Sequence, residues 1–476
     1  MKTNHPHSLS PTLPPGPPTR WGGLSWMADL RRDYLGYNAF MHRTYGDIVH
    51  VKVLHEHVYT VYSPELIRAL LVDHAHHLVR HERAIDVLTE IHGHSVMASE
   101  GDTWQRQARL LRPGFAPKRV HGYARLMVDA ATQALDQLHV SESGDASVID
   151  IGQLMSRVTM DVILRTLFSQ PADHERDDAI AAINVLDQVV MKELFWPVTL
   201  PDWLPLPGKA RKRQALKQLN ALIGGHIQAR QAMKAHDAPQ DDLLAMLLAA
   251  RDGDFPASGA HGLSPQEIHD QCKVMFLAGY ETTAIALTWW SWLMASHPKV
   301  AERAHAEIAT VLGDRDPSPE DLAQLPWLQA SLKEALRLYP PAASLLMRRT
   351  LADIQLGSWT IPAGALVSVV QREAHLDARW FEDPLAFRPE RFMPDAPPMP
   401  RGAWMPFGAG PRVCMGQHFA MLEMALVSAM LLQRYRLQPL PGQQEPVADM
   451  QITLRPAHPL RLNLSRLRCA SASRRT

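Results

Sequence analysis

The chain has 476 residues, of which 46% are hydrophobic and 21% charged, and this composition excludes a disordered or fibrous protein. Its 49 lysines and arginines balance 49 aspartates and glutamates, so no overall electrostatic field predicts a nucleic-acid partner. Three cysteines, Cys272, Cys414 and Cys469, are too few for a disulfide framework and indicate a reducing compartment.

The two ends of the chain predict no folded structure of their own. Residues 1–20 contain the run PPGPP from Pro14 to Pro18, which predicts a stiff polyproline lead-in. This segment has no apolar run long enough for a signal peptide or a membrane anchor. The basic residues 465–476 are expected to form a frayed surface tail. We therefore expect a cytoplasmic protein without a membrane anchor.

The sequence predicts mainly helices, with a few short strands. Alternating apolar residues at Ile48 to Val53 and Val58 to Tyr62 predict a hairpin, and further strands are expected at 366–370 and 451–456. Prolines and aromatic residues from Asp377 to Trp404 predict an ordered but irregular loop. Apolar residues at helical spacing predict helices at Leu154 to Phe168, Leu216 to Ala235, Ser264 to Ser296 and Lys299 to Leu312.

These elements predict the fold class and the domain organisation. The pattern is that of a mainly α protein with small β-sheets. No internal repeat and no dividing linker interrupts it, so a single domain over residues 21–464 is expected. One stretch, Val274 to Ala295, is long and apolar enough to span a membrane. Because Glu281 lies near its centre, where a charge is costly in lipid, a buried helix with a functional acid is the better prediction.

The stretch FGAGPRVCMG places a cysteine in a glycine-rich loop. Gly408, Gly410 and Gly416 allow the backbone to approach the sulfur or a flat ligand closely. The residues after Cys414 have a helical pattern, and the electropositive N-terminal end of a helix stabilises a thiolate. Taken alone, a cysteine in an ordinary loop is more commonly buried and inert.

This loop resembles the heme-binding loop of the cytochrome P-450 superfamily, Phe-x-x-Gly-x-Arg-x-Cys-x-Gly, at every fixed position. The resemblance implies a P-450 fold with one heme b per chain and the Cys414 thiolate as proximal ligand of the iron. It also implies heme contacts for Phe407, Gly408 and Gly416 and a propionate partner in Arg412. A thiolate ligand donates electrons that favour cleavage of the O–O bond.

A helix and a later turn carry a second resemblance. Glu334 and Arg337 in SLKEALRLYPP lie three residues apart and share a helix face. Such a pair alone is usually a surface salt bridge. The sequence is similar to the Glu-x-x-Arg helix of the superfamily, and PERF at 389–392 follows at the expected place. The resemblance implies a buried triad of Glu334, Arg337 and Arg391 that locks the chain beneath the heme.

The segment AGYETT at 278–283 is similar to the oxygen-binding segment of the superfamily. Ala278, Glu281 and Thr282 fall on one face of the predicted helix. The resemblance implies that Ala278 contacts the heme, that Thr282 hydrogen-bonds to oxygen at the iron and that Glu281 relays protons through water. The alternative is a polar break in a core helix.

Propionate contacts are implied at two further places. The sequence GDTWQRQARLL resembles the helix in which a tryptophan and a basic residue four positions later hold a propionate. Trp104 is present, but Ala108 occupies the basic position. Arg106 and Arg109 are candidates to replace that residue, although a helix turns each to a different face. Arg348 matches the later propionate arginine, and a guanidinium suits a carboxylate.

The resemblance implies a monooxygenase that hydroxylates or epoxidises a small apolar organic substrate with O2. No flavin- or iron–sulfur-binding module is recognisable, so electrons are expected from a separate ferredoxin or flavodoxin and an NAD(P)H-dependent reductase. Arg106, Arg109 and Arg112 are candidates to dock this donor, with solvated surface arginines as an equal alternative. The protein is expected to be a monomer. By their positions in the chain, five residues are expected to contact the substrate: Val96, Met97, Ala342, Leu345 and Met450.

Two other functions remain open at this point. A peroxide-driven peroxygenase or a heme-thiolate isomerase can dispense with a proton relay, and the pair Glu281 and Thr282 argues against both. A non-catalytic heme gas sensor would make no use of the pair Glu281 and Thr282. No signalling segment is recognisable in the sequence.

Overall fold

The computed structural model describes residues 13–19, 21–140, 146–170, 176–195, 207–233, 241–250 and 262–467. Most of the predicted lead-in 1–20 and of the tail 465–476 lies outside these ranges. The described residues form mainly helices with small sheets, which confirms the predicted fold class. Chain contacts divide the chain into a smaller unit, Met1–Ala84, Ala343–Pro384 and Pro398–Cys414, and a larger unit, Ile85–Ala342, Leu385–Pro397 and Met415–Thr476. The single domain over 21–464 stays a prediction.

The helices and strands of the described residues are named in chain order. The helices are α1 Leu24–Arg32, α2 Tyr34–Tyr45, α3 Pro64–Arg68, α4 Glu82–His92, α5 Gly101–Leu111, α6 Pro117–Gly122, α7 Ala124–Asp136, α8 Ile151–Phe168, α9 Arg176–Phe195, α10 Pro207–Ala232, α11 Leu243–Ala249, α12 Pro265–Ser296, α13 Pro298–Leu312, α14 Pro326–Leu338, α15 Gln371–His375 and α16 Gln417–Arg434. The strands are β1 Ile48–Val53, β2 Glu56–Val61, β3 Leu78–Arg80, β4 Ser147–Asp150, β5 Leu345–Thr350, β6 Ile354–Leu356, β7 Trp359–Ile361, β8 Leu366–Val369, β9 Tyr435–Pro439, β10 Ala448–Met450, β11 Leu454–Pro456 and β12 Arg461–Arg466.

The smaller unit is built on a five-stranded sheet in the order β1-β2-β8-β5-β3. The predicted hairpin is confirmed as β1 and β2, which pair antiparallel with Ile48 opposite Val61. Strand β8 runs parallel to β2 and antiparallel to β5. Alternate residues of these strands, including Tyr59, Val61 and Val367, are buried in a shared apolar core, as expected of a sheet that covers a core with one face.

Two arginines link segments of the smaller unit that are far apart in the sequence. Arg349 of β5 donates to the carboxylates of Glu56 and Glu82. Arg379 donates to Asp377 and Asp47. Guanidinium groups suit such bidentate contacts because their planar donors match a carboxylate. Both networks therefore hold chain segments that are far apart in sequence.

The larger unit is organised around α12, a helix of 32 residues. Its N-terminus carries a capping box in which Ser264 and Glu267 each satisfy the backbone of the other. Helix α12 packs mainly against α8 and also contacts α10, α14 and α16. Two buried tryptophans anchor it: the Trp289 indole donates to the Leu454 carbonyl oxygen, and Trp290 donates to the Ser331 hydroxyl. Glu281 and Thr282 occupy the middle of this helix.

Helix α12 is the stretch that the sequence suggested as a membrane span. Among the described residues, none of the helices is both long enough and apolar enough to cross a bilayer. The prediction of a buried helix is confirmed, because most of α12 is buried within the larger unit.

The late strand is shorter than predicted. Of the expected strand 451–456, only Leu454–Pro456 is extended, and it pairs antiparallel with Ala448–Met450. The reason is a tight turn, in which the Gln451 amide donates to the Thr453 carbonyl oxygen. The hairpin β10–β11 therefore presents Thr453 and Arg455 two residues apart. The loop 377–404 is irregular as predicted, apart from a 3-10 turn at Pro389–Phe392 and other tight turns.

Candidate functional site

The cysteine loop is held by its own backbone within the smaller unit. The Cys414 amide donates to the Phe407 carbonyl oxygen at 2.9 Å, and the Gly408 amide donates to the Met405 carbonyl oxygen at 2.9 Å. Gly410 has a φ of 73°, and a Cβ on it would lie 1.9 Å from the Leu71 carbonyl oxygen. Only glycine is compatible with this approach and this backbone conformation.

The loop suits the ligand that the resemblance implies. Cys414 is exposed, so its sulfur is accessible to an incoming group. Phe407 and Arg412 are half-buried in the same loop, with Arg412 at the end of a 3-10 turn. Gly416 caps α16, which begins three residues after the cysteine. A thiolate donor with an arginine two residues away fits an iron porphyrin with anionic propionates.

A buried histidine fixes the start of the loop. His375 is fully buried, and its Nε2 accepts a hydrogen bond of 2.9 Å from the Met405 amide. An accepting Nε2 requires the neutral ring with its proton on Nδ1. The side chain therefore holds the chain that leads into Phe407, a structural task that the sequence pattern did not specify.

Arg348, the second arginine expected at a propionate, lies in the smaller unit on β5. Its neighbours in the sheet are Arg80 of β3 and Val367 of β8. Its Nη1 donates to the Leu346 carbonyl oxygen at 3.1 Å. Its propionate role stays a prediction.

The acid and the alcohol of α12 have different partners. Thr282 donates to the Ala278 carbonyl oxygen one turn earlier at 2.8 Å. Glu281 lies in a polar cluster that comprises it, Asp187, Thr453 and Arg455, and that we call the relay cluster. Thr453 donates to Glu281 Oε1 at 2.6 Å. Arg455 also donates to Glu281 Oε1, and its Nη2 lies 3.4 Å from Asp187 Oδ2.

The relay cluster contains two carboxyl groups and one guanidinium. Burial raises the pKa of Asp187 to about 8, and the adjacent Glu281 adds to this effect through its charge and a hydrogen bond. Arg455 acts in the opposite direction but does not cancel it. Two carboxylates this close cannot both ionise easily beside one cation. At neutral pH, Asp187 therefore retains a proton.

A cleft of about 240 Å³ opens beside this cluster within the larger unit. Its lining is polar around Glu281, with contributions from Ser156, Tyr280, Thr288, Arg455 and His458. The Nε–H group of Arg455 is buried and has no hydrogen-bond partner among the described residues. A polar cleft of this size can hold several waters, and water supplies the partner that such a group needs.

A third acid lies near α12. Glu423 of α16 is 1% exposed, and burial raises its pKa well above the ordinary value, with a smaller opposing effect from the Thr283 hydroxyl. Burial therefore favours the protonated form of Glu423. It is the only charged side chain between Phe419 and Leu432, and a lone acid in an apolar helix is the signal that could have identified it.

The Glu334, Arg337 and Arg391 side chains meet within the larger unit. Arg337 grips Glu334 with two hydrogen bonds of 2.7 and 2.8 Å, and both side chains are completely buried. Arg391 Nε lies 3.2 Å from Glu334 Oε1. The Arg388 amide also donates to this oxygen, at 3.0 Å. The carboxylate is thus saturated with donors and holds the PERF turn onto α14.

Trp104 shares a surface cavity with arginines of α5 and the turn that follows. A cavity of about 410 Å³ is lined by Trp104, Arg106, Arg109 and Arg112. The helical turn predicted different directions for Arg106 and Arg109, yet both border this cavity. Arg106 is also paired with Glu267, whereas Arg109 and Arg112 are exposed. The replacement of a basic residue at the buried Ala108 by Arg106 or Arg109 stays a prediction.

The predicted substrate contacts are all half-buried. In the larger unit, Val96 and Met97 lie between α4 and α5, and the Val96 amide donates to the Gln271 side chain. Met450 ends β10, and Ala342 follows α14. In the smaller unit, Leu345 begins β5 and lies 3.7 Å from an ideal Cβ on Gly408. Their contact with substrate stays a prediction.

Comparison with known proteins now identifies the family. The profile of the cytochrome P450 family matches residues 14–464. The chain belongs to the cytochrome P450 family. The cyclooctat-9-en-7-ol 5-monooxygenase of Streptomyces melanosporofaciens is 33% identical over 400 residues, 84% of each chain. Cyclooctatin synthase of the same organism is 33% identical over 424 residues, 88% of each chain. Echinocystic acid 23-monooxygenase of Saponaria officinalis is 32% identical over 384 residues, 76% of this chain and 72% of that protein.

This P450 is a monooxygenase, an oxidoreductase that incorporates oxygen from O2. Membership of the family implies a heme with a cysteine thiolate ligand, and P450 enzymes in general act on apolar substrates and receive electrons from redox partners. The predicted family, fold class and reaction class are confirmed.

Sequence reasoning missed part of the relay cluster of this P450. It identified Glu281 from its motif but not Asp187, Thr453 or Arg455. A weak signal exists for two of them, since Thr453 and Arg455 are two residues apart near a strand and so share one face. Nothing in the local sequence of α9 distinguishes Asp187 from a surface acid such as Asp178.

Proposed function

We propose that this P450 binds one heme b through the Cys414 thiolate and oxidises a small apolar organic substrate. The exposed thiol, held by backbone hydrogen bonds in a loop where Gly410 cannot be replaced, is the observation that carries the proposal. When bound, the heme supplies oxygen activation, which a thiolate ligand promotes. Phe407 packs beside the sulfur, Gly408 and Gly416 leave room for the ring, and Arg412 and Arg348 balance the propionates.

The polar residues of α12 deliver protons in this proposal. Thr282 holds its hydroxyl on the helix backbone through the Ala278 carbonyl oxygen and can turn it toward the substrate side. Glu281 relays protons from water to the threonine side of the helix. Ala278, a small residue one turn before Thr282, leaves space for a flat group.

The half-buried apolar residues and the exposed arginines support proposals for the substrate and for the electron donor. The half-buried residues Val96, Met97, Ala342, Leu345 and Met450 are aliphatic or thioether side chains and suit an apolar ligand. Cyclooctat-9-en-7-ol, the compound named for one relative, is the first compound to test. We assign electron delivery to a separate ferredoxin or flavodoxin with its NAD(P)H-dependent reductase, docked on the exposed Arg109 and Arg112. Monomeric state and a cytoplasmic location are part of the same proposal.

The first test is the absorption spectrum of the dithionite-reduced protein with and without carbon monoxide. A strongly red-shifted Soret band is expected for the native chain and its loss is expected for Cys414→Ser. Cys272→Ser is the matched control, because Cys272 is fully buried in α12 and its substitution should leave the band in place. Heme-reconstituted native protein without that band would overturn the assignment of Cys414.

A further inference from the structure

The relay cluster contains two carboxyl groups, although a simple proton relay needs only one. Asp187 of α9 is 8% exposed and approaches the same guanidinium as Glu281. Around the buried carboxylate of Glu334, by contrast, arginine donors are in excess. Here one guanidinium serves two acids. A buried charge without a counter-charge is costly, so the cluster is stable only when one of the acids carries a proton.

We propose that Asp187 shares one proton with Glu281, holds it when Glu281 is ionised and returns it to Glu281 for the relay. This inference rests on the proposed role of Glu281. In the exchange, the O–H bond of the Asp187 carboxyl breaks as an O–H bond on Glu281 forms, and the single remaining negative charge moves to Asp187. Arg455 contacts both carboxyl groups, so it balances that charge in either state.

The cleft beside the cluster provides the source of replacement protons. It reaches Glu281 and Arg455 and is lined by Ser156, Tyr280 and the exposed His458. Asn184 and Thr288 also line the cleft, and Asp187 on α9 and Thr453 on the hairpin are the further polar side chains beside Glu281. Burial raises the pKa of Tyr280 to about 12, so this residue stays neutral. Water in the cleft can therefore reload the pair without crossing the apolar core.

Asp187 acts through Glu281 and is a positioning residue for the proton. The test is infrared difference spectroscopy of the purified holoenzyme, titrated from acid to alkaline pH, in the carboxylic-acid stretching region. A band of one protonated carboxyl is expected in the native protein, and it should disappear as pH rises through about 8. Both Asp187→Asn and Glu281→Gln should lose this same band, because either change leaves a single carboxylate beside Arg455.

Controls separate this signal from other groups. Glu423 should contribute its own acid band, unchanged in both variants. Asp178→Asn, an exposed position on the same helix, and His458→Gln should leave the titrating band in place, and Asp187→Glu should restore it. A titrating band that persists in Asp187→Asn would overturn the inference. The spectrum does not depend on turnover, so a native protein that lacks monooxygenase activity would count against the proposed function alone.

Discussion

Two ion clusters of the larger unit have opposite ratios of cationic to acidic side chains. Around Glu334, two guanidinium groups and a backbone amide surround one carboxylate. In the relay cluster, one guanidinium faces the two carboxyl groups of Asp187 and Glu281. The first cluster has hydrogen-bond donors in excess of its single carboxylate. The second has acids in excess, and burial together with the neighbouring Glu281 raises the pKa of Asp187.

The ratio of cations to acids thus separates a structural cluster from one that can exchange protons. Desolvation penalises every buried charge, and only matched partners compensate it. Where cations are in excess, the acid is fixed and the cluster acts as a clamp between chain segments. Where acids are in excess, the proton is shared and can move. The following predictions test this distinction, beginning with the largest expected effect.

Glu334→Ala should remove the clamp. Arg337, which is completely buried, would lose the carboxylate that pairs with it, and a buried charge left without its partner costs about 3–5 kcal/mol. This is a large fraction of the stability of a typical domain. We therefore expect purified protein with little or no heme, measured as the ratio of Soret to protein absorbance. Glu302→Ala, at an exposed position on α13, is the control, and full heme occupancy in Glu334→Ala would contradict the prediction.

Glu281→Gln should change catalysis without changing the fold. The amide keeps the size of the side chain and can still contact Thr453, but it cannot transfer a proton. Product formation with O2 and a redox partner should fall by about 10²-fold, the lower range of general acid–base contributions. The carbon monoxide spectrum should remain native. Turnover measured beside peroxide-driven turnover checks this, and equal losses in both assays would argue for a structural role instead.

Glu423→Gln extends the comparison to an acid without a nearby cation. Because burial raises the pKa of Glu423, the folded state keeps a proton that the unfolded state releases above about pH 4.3. Stability contributed at this site is therefore complete at low pH and is lost as pH rises, by about 1.4 kcal/mol per pH unit. The glutamine variant lacks this loss. Its melting temperature should exceed the native value by a margin that grows as pH rises above about 4.3, and a constant margin would contradict the prediction.

Asp129→Ala should give the smallest change in stability among these variants. Asp129 pairs with Arg125 at 2.9 Å on the exposed face of α7, and both side chains are in contact with solvent. A pair of this kind is worth about 0.3–0.5 kcal/mol. Urea unfolding should show a change of that size, and the change should shrink as salt is added.

Local signals predicted much of this protein. The hairpin β1–β2, the long helix α12 and α16 after the cysteine all follow from apolar periodicity or turn residues that lie within each segment. The cysteine loop and Glu281 were accessible because their chemistry is concentrated in short motifs. The predicted start of the late strand was wrong, because the turn at Gln451 to Thr453 depends on pairing with β10 rather than on strand propensity.

The partners of Glu281 could not be predicted in the same way. Arg455 lies 174 residues away in the chain, and its contact to Asp187 joins residues 268 apart. Such contacts depend on the packing of the hairpin β10–β11 and α9 around α12, which no local pattern encodes. His375 is a similar case, because nothing in its local sequence indicated that it accepts a hydrogen bond from the Met405 amide.

The hairpin β10–β11 has a consequence for engineering the selectivity of this enzyme. Within a few residues it carries Met450, a predicted substrate contact, and both Thr453 and Arg455, which hold Glu281. A library that reshapes the substrate pocket at this hairpin also perturbs the proton supply. Variants selected here for a new substrate should waste more reducing equivalents, so screens should score product per NAD(P)H consumed.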